Sequence, residues 1–356
     1  MKIEIHSPTI RRKEMDAVLT AMVEDRIGPG ERSRHLLQIA KEHLRFDFAL
    51  ALRSPATALH LALKSIDLQD GDGILISALS PRYYAQVLSD LRLTPLFCDV
   101  SYSFPCISCE SIEKAIAAKP AGVRPRCIIL HHTLGYVPDT ASICALGFPV
   151  IEDISQSYTP PHSEQDTNAS LPVHSLPAAN GGFTVMGLEE RDMLTSGGGA
   201  LVFAMNRKEG SVLRNNSNIP PEYCLPDINA ALAVIQFKEA AKNHARRQEL
   251  AQSYTQASLH TRHKRFIPID NGIEYNNYAF SLVLEAGMKD VTAYARKKEI
   301  IVENAFEQSL AGAGISDSVL CPASYSLSLR TVLFPLYPRL RSQDAQRVSR
   351  LIMTLP

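Results

Sequence analysis

Between residues 49 and 153 the chain repeats one pattern, a short unbroken apolar run followed by a helical stretch and another apolar run. Ala49-Leu50-Ala51-Leu52 leads into Ser54-Pro55-Ala56-Thr57 and an amphipathic stretch over 58–65. Ile74-Leu75-Ile76 precedes a helical pattern over 82–91, and Pro95-Leu96-Phe97-Cys98 follows it. A helix opening at Ser108 or Cys109 runs to Ala118, and Cys127-Ile128-Ile129-Leu130-His131 reads as a buried strand. Asp139 is placed to cap a short helix to Ala145, ahead of Phe148-Pro149-Val150-Ile151 and the pair Glu152-Asp153. Strands that are apolar throughout, rather than alternating, are buried on both faces. The pattern therefore predicts an α/β fold whose mostly parallel sheet is covered by helices on each side. Such sheets bind ligands beyond the C-terminal ends of their strands. Ser54, Ser80, His131 and Asp153 fall at those ends.

Beyond Asp153 the pattern changes. Residues 157–181, rich in Ser, Pro, His and Asn, form a loop without periodicity, of a length that is functional or mobile in a compact domain. Phe183-Thr184-Val185 resumes the strand pattern. It is followed by Glu189 and Glu190, then by Thr195-Ser196-Gly197-Gly198-Gly199 and the apolar Ala200-Leu201-Val202-Phe203. Asp227 caps one long helix predicted over 228–253. From 255 onward a smaller unit is expected, with strands near 278–284 and 330–334, a helix near 291–298 and a last helix from Ser342. The reading divides the chain into a large domain, 1–254, and a small C-terminal domain, 255–356.

Composition narrows the class of function. With 37 basic and 37 acidic side chains the net charge is zero, which gives no support to a nucleic-acid or anionic-membrane partner. No apolar run approaches the roughly 18 residues of a membrane span, and the first residues lack the apolar core of a signal peptide. A cytoplasmic protein is expected. The seven cysteines include one C-x-x-C, Cys106 to Cys109, with no second pair at zinc spacing, so free thiols are the preferred reading. His131 and His132 lack a partner at ligand spacing and read as packed histidines; no metal site is expected. Gly197-Gly198-Gly199 precedes a strand rather than a helix, so a tight turn is favoured over a phosphate loop. Arg246-Arg247 read as a solvated or interface face of the long helix.

The order of these landmarks resembles the DegT/DnrJ/StrS family of pyridoxal-phosphate sugar aminotransferases over nearly the whole chain. The likeness begins with Arg26-Ile27-Gly28-Pro29-Gly30 before a helix. It continues through Ala58-Leu59-His60-Leu61, Asp70-Gly71-Asp72, Pro95-Leu96-Phe97-Cys98-Asp99, His132-Thr133-Leu134-Gly135 and Glu152-Asp153-Ile154-Ser155-Gln156. Gly198-Gly199, Asn229-Ala230-Ala231 with Gln236, and Phe334-Pro335-Leu336-Tyr337-Pro338 complete it. The resemblance implies a three-layer type I aminotransferase-like large domain, a smaller C-terminal α/β domain and a homodimer with sites between subunits.

Carried over residue by residue, the resemblance places Asp153 against the cofactor's ring nitrogen, with Gln156 near it. Without the resemblance, the same carboxylate would simply cap the turn after its strand. The serine that meets the phosphate falls at Thr184, and the phosphate turn at Pro55-Ala56. The stacking aromatic falls near Pro81, with Tyr83 or Tyr84 as substitutes. The pair reaching the neighbouring subunit falls at Glu222-Tyr223-Cys224. The Schiff-base lysine falls at Glu189, or at Glu190 when counted back from Gly198-Gly199. No lysine occurs between Lys119 and Lys208. A carboxylate cannot form an imine, so the expected catalytic lysine is absent and pyridoxal-phosphate binding is expected to be weak or absent. Two functions remain open. One is a homologue without transaminase activity, binding a sugar nucleotide or pairing with an active paralogue in polysaccharide biosynthesis. The other is an active aminotransferase or dehydratase-like enzyme with a rebuilt cofactor site.

Overall fold

The computed structural model describes residues 2–161, 182–204, 207–215, 219–269 and 275–356. Most of the loop read over 157–181 thus lies outside the described residues. Two helices, α1 (Arg12–Val23) and α2 (Glu31–Leu44), precede strand β1 (Phe48–Leu52) and helix α3 (Pro55–Lys64). Then come β2 (Gly73–Ser77), α4 (Tyr83–Asp90), β3 (Thr94–Cys98), α5 (Cys109–Ala118), β4 (Pro125–His131), α6 (Thr140–Cys144), β5 (Val150–Asp153), β6 (Phe183–Gly187), β7 (Ala200–Ala204) and α7 (Arg207–Asn215). The C-terminal part holds α8 (Asp227–Lys238), α9 (Ala240–Ser258), β8 (Phe280–Val283), α10 (Lys289–Lys297), β9 (Glu303–Asn304), α11 (Pro322–Arg330), β10 (Thr331–Phe334) and α12 (Ser342–Met353).

A seven-stranded sheet, in the order β1-β7-β6-β5-β4-β2-β3, forms the middle layer. Strands β2 to β6 pair in parallel, and β7 runs antiparallel between β6 and β1. The apolar runs did specify strands buried on both faces. Ile74, Ile76, Ile129, Ile151 and Val185 pack under α3 and α4. Leu75, Ile128 and Leu130 face α5 and α6, while Met186, Leu201 and Phe203 face α2 and α8. A second, antiparallel sheet, β8-β10-β9, is covered by α10 and α12. No helix among the described residues is long and apolar enough to cross a membrane.

The helix read over 228–253 is two helices that break at Glu239. Asp227 caps neither of them. Its Oδ1 accepts from the backbone N–H of Gly30 (2.9 Å) and Ser33 (2.8 Å) and from Ser33 Oγ (2.6 Å), and its Oδ2 accepts from Arg32 N–H (3.0 Å). These are the orphan donors at the start of α2, a helix 194 or more residues away in sequence, so the cap is a tertiary one. Asp99 does the same for α11, which the sequence pattern missed, accepting from the N–H of Ala323 and Ser324 (3.0 and 2.8 Å).

The boundary read at 254/255 falls inside α9. Leu250, Ala251 and Tyr254 already pack into the small-domain core with Phe280, Val332 and Val348, and Ile3 joins the same core. Arg247, read as part of an outward face, is 7% exposed.

Candidate active site

The site grows from three adjacent strand ends. Register pairs His131 with Asp153 and Asp153 with Val185, so these three side chains share one face of the sheet. Helix α4 lies over that face and buries Tyr84 completely. The Tyr84 hydroxyl donates to Asp153 Oδ2 at 2.5 Å, and the Tyr84 ring meets the His131 ring edge-on. The other carboxylate oxygen, Oδ1, accepts from Ser155 N–H (3.0 Å) and Ser155 Oγ (2.5 Å). Gly187 N–H in turn donates to Ser155 Oγ at 2.7 Å, which anchors the pair to β6. Both oxygens of Asp153 are therefore engaged by the protein itself.

Around this carboxylate the surroundings are acidic and aromatic. Tyr83 stands edge-on to Tyr84 at 5.0 Å. Burial, followed by the negative charge of Asp153, pushes both phenols well above their ordinary range. Asp192 lies against Gly187, where a β-carbon would have no room, and its Oδ2 accepts from Glu189 N–H at 2.8 Å. Burial drives its carboxyl well upward; the Glu189 N–H bond opposes this, and the charges of Asp153 and Glu189 add to it. His131 is pushed down to about 4, because burial outweighs the pull of Asp153, and so it is neutral at ordinary pH.

The residues predicted for a cofactor are only partly brought together. Asp153 is at the strand end, as expected. Gln156 is close in sequence, but its Oε1 accepts from Leu134 N–H at 2.7 Å and so holds the turn at Leu134 and Gly135. That turn needs the bond, since Leu134 has φ +54° and Gly135 φ +81° with Asn276 and Tyr278 crowding its α-carbon. Thr184 pairs in register with Glu152 rather than with Asp153, which places it on the opposite face of the sheet. Its Oγ1 is buried and finds no hydrogen-bond partner among the described residues. At the start of α3, Pro55 has no N–H, and Thr57 N–H is taken by Ser54 Oγ at 3.1 Å. Of the first turn only Ala56 N–H remains for a phosphate, because Ala58 N–H bonds Ser54 O.

The two candidate lysine positions are exposed glutamates. Glu189 Oε1 accepts weakly from Gly199 N–H at 3.4 Å, and the Glu190 carbonyl accepts from His6 Nε2 at 2.9 Å. Among the described residues no lysine amine hydrogen-bonds or ion-pairs with Asp153, Asp192 or Thr184. The residues present do not fit pyridoxal phosphate as the resemblance would seat it. The ring-nitrogen acceptor is occupied by a tyrosine, the phosphate end keeps one backbone donor, and the anchoring amine is missing.

On the opposite face lies a pair the sequence reading missed. His132 Nε2 sits 3.0 Å from Glu152 Oε1, both fully buried, and His132 Nδ1 is 2.7 Å from Ser157 Oγ. Spacing along the chain does not reveal this partner, because Glu152 lies in β5 and His132 just past the end of the neighbouring β4. Both side chains are sealed from solvent, and Glu152 Oε2 has no hydrogen-bond partner among the described residues. Asp192 and Ser155 were missed for a similar reason, since nothing in a loop's composition shows which polar residues turn inward. Glu222 and Tyr223 lie in an exposed 3₁₀ turn. Cys106 and Cys109 are free thiols, and no metal-ligand cluster occurs among the described residues. The three glycines before β7 all have positive φ, 72°, 128° and 135°, as a tight turn requires.

Comparison with known proteins agrees with this architecture. The sequence description of the DegT/DnrJ/EryC1/StrS aminotransferase family matches residues 8–169 and 178–353. Among solved structures, Spr1654 of Streptococcus pneumoniae, assigned as a sugar aminotransferase, superposes in its PLP form with a TM-score of 0.84 at 16% identity, covering 99% of this chain and 98% of that one. The aminotransferase TlmJ of Streptoalloteichus hindustanus gives 0.84 at 17% identity, covering 99% and 98%. A DegT DnrJ EryC1 StrS aminotransferase of Brucella abortus gives 0.81 at 19%, covering 96% and 94%. At these identities the structural likeness shows the fold, and the match along the sequence shows the kinship. The chain belongs to the DegT/DnrJ/EryC1/StrS aminotransferase family.

Proposed function

We propose that this protein uses the aminotransferase fold for binding or assembly in sugar-nucleotide and polysaccharide biosynthesis, without transaminating. The observation that carries the reading is the Tyr84 hydroxyl on Asp153 Oδ2, in a site whose lysine positions are glutamates. Pyridoxal phosphate is held weakly or not at all. Hydrogen bonds to a charged group contribute roughly 1.5–3 kcal/mol each. Loss of two at the phosphate end weakens binding by about two to four decades in Kd. The partner is a second copy of the chain or an active paralogue, and the ligand a sugar nucleotide, in the cytoplasm.

Borohydride reduction followed by peptide mass spectrometry, with calorimetric titration of pyridoxal phosphate, tests this. No pyridoxyl-lysine and no sub-micromolar binding are expected; either one would overturn the reading. The enzymatic alternative rests on the retention of Asp153 at the β5 terminus. Amino transfer from glutamate to a 4-keto sugar nucleotide by the unmodified protein, supplied with cofactor, would establish it.

A further inference from the structure

Arg247 lies in α9, where that helix meets the N-terminal segment and the small domain, and it is 7% exposed. Its Nη1 donates to the carbonyls of Tyr278 (2.8 Å) and Leu336 (3.0 Å). A guanidinium carries five N–H donors. The three on Nη2 and Nε find no acceptor among the described residues, and no carboxylate there forms an ion pair with it. Burial lowers its pKa to about 10, and the ionisable groups acting on it are the phenols of Tyr278 and Tyr275 rather than an acid. A buried charge without a counter-charge is strongly disfavoured, and such groups are found paired or bound to an ion.

Arg247 lines a cavity of about 20 Å³ together with Asn243, Gln236, Thr9, Tyr158 and Pro160. Gln236 is committed elsewhere, its Nε2 donating to Thr9 O and to Glu14 Oε1. Glu14 is engaged by that bond and by the Arg11 N–H, so it does not serve Arg247. Asn243 Oδ1 is buried with no hydrogen-bond partner, and a half-turn of the amide presents Nδ2 to the same space. A water needs roughly 10–15 Å³ measured this way. The cavity therefore accepts one chloride-sized ion or the head of a carboxylate, and is too small for a phosphate ester.

We propose that the cavity beside Arg247 binds a small monovalent anion, of halide or carboxylate-head size, held by the free guanidinium donors and the Asn243 amide. The anion would neutralise the charge that ties α9 to the carbonyls of Tyr278 and Leu336. Crystals of the full chain grown in bromide and measured at the bromine edge should show an anomalous peak against Arg247 Nη2. Crystals grown in acetate without halide test the carboxylate source in the same cavity. In solution, when bromide replaces sulfate at constant ionic strength, the Tm of the full chain should shift saturably about 1–3 °C more favourably than that of Asn243→Leu, since sulfate stabilises both alike. Asn243→Leu fills the cavity and leaves the Arg247 carbonyl bonds in place, so only the general salt effect should remain in it. A cavity holding only water in both crystals would overturn the proposal. So would a carboxylate of the chain seated on Arg247, or an equal bromide effect in Asn243→Leu.

Discussion

At the scale of single residues, the decisive contact is one hydroxyl. The fully buried Tyr84 donates its hydroxyl to Asp153 Oδ2 at 2.5 Å. Tyr84→Phe leaves a buried carboxylate oxygen without its partner, which costs about 1–3 kcal/mol. Urea denaturation of the variant should show a midpoint lowered accordingly with an unchanged slope. The lysine positions give the complementary expectation. Glu189 and Glu190 project to solvent while Asp153 is already engaged. Glu189→Lys or Glu190→Lys alone should therefore yield neither a borohydride-trapped adduct nor amino transfer. Groups that position a cofactor act as a unit, so one repaired member leaves the others limiting. Appreciable turnover by either variant would falsify the non-catalytic reading.

At the scale of elements, Asp227 and Asp99 cap helices distant in sequence, α2 and α11 respectively. Burial alone would raise the Asp227 carboxyl, but bonds from Ser33 Oγ, Arg32 N–H, Ser33 N–H and Gly30 N–H outweigh it and hold the pKa below the ordinary range. A pKa lowered on folding stabilises above the unfolded value, near 4, and that stabilisation is lost as pH falls below it. Asp227→Ala removes the whole set and should destabilise by about 1–2 kcal/mol, as loss of an N-cap does. Asp227→Asn keeps one acceptor and should lose less. Hydrogen exchange across 31–34 reads the effect directly, with faster exchange there in Asp227→Ala and little change in β4 or β5.

At the scale of the whole molecule, stability should respond to acid through histidines whose pKa folding lowers. His131 titrates at about 4 when folded, well below its unfolded value near 6.5, and burial likewise lowers His6, His60 and His263. Between those two values the unfolded chain binds the proton that His131 refuses, so stability falls as pH drops from about 6.5 toward 4. His131→Gln should flatten this part of the pH–stability profile, a result checked by thermal melts at intervals of pH. Assembly is a second property of the whole. A homodimer is expected, and sedimentation velocity at micromolar concentration should show one; a monomer across that range would count against it.

The architecture was largely legible in the chain because burial on both faces leaves a local mark. Runs such as 74–76 and 127–131 are apolar without alternation, and they are the central strands β2 and β4. Asp153 was placed at a strand end for the same reason. The helix break at Glu239 escaped notice, because α8 and α9 share a continuous helical pattern and only packing against different neighbours separates them. The state of the site was not local at all. Glu152 meets His132, Asp227 meets Gly30 and Ser33, and Tyr84 meets Asp153 across 20, 194 or more, and 69 positions respectively. A carboxylate reads the same in sequence whether it faces water, a helix start or a tyrosine. Only the register of the strands, which sends Asp153 to one face and Thr184 to the other, and the placement of α4 over the first face decided what each would touch.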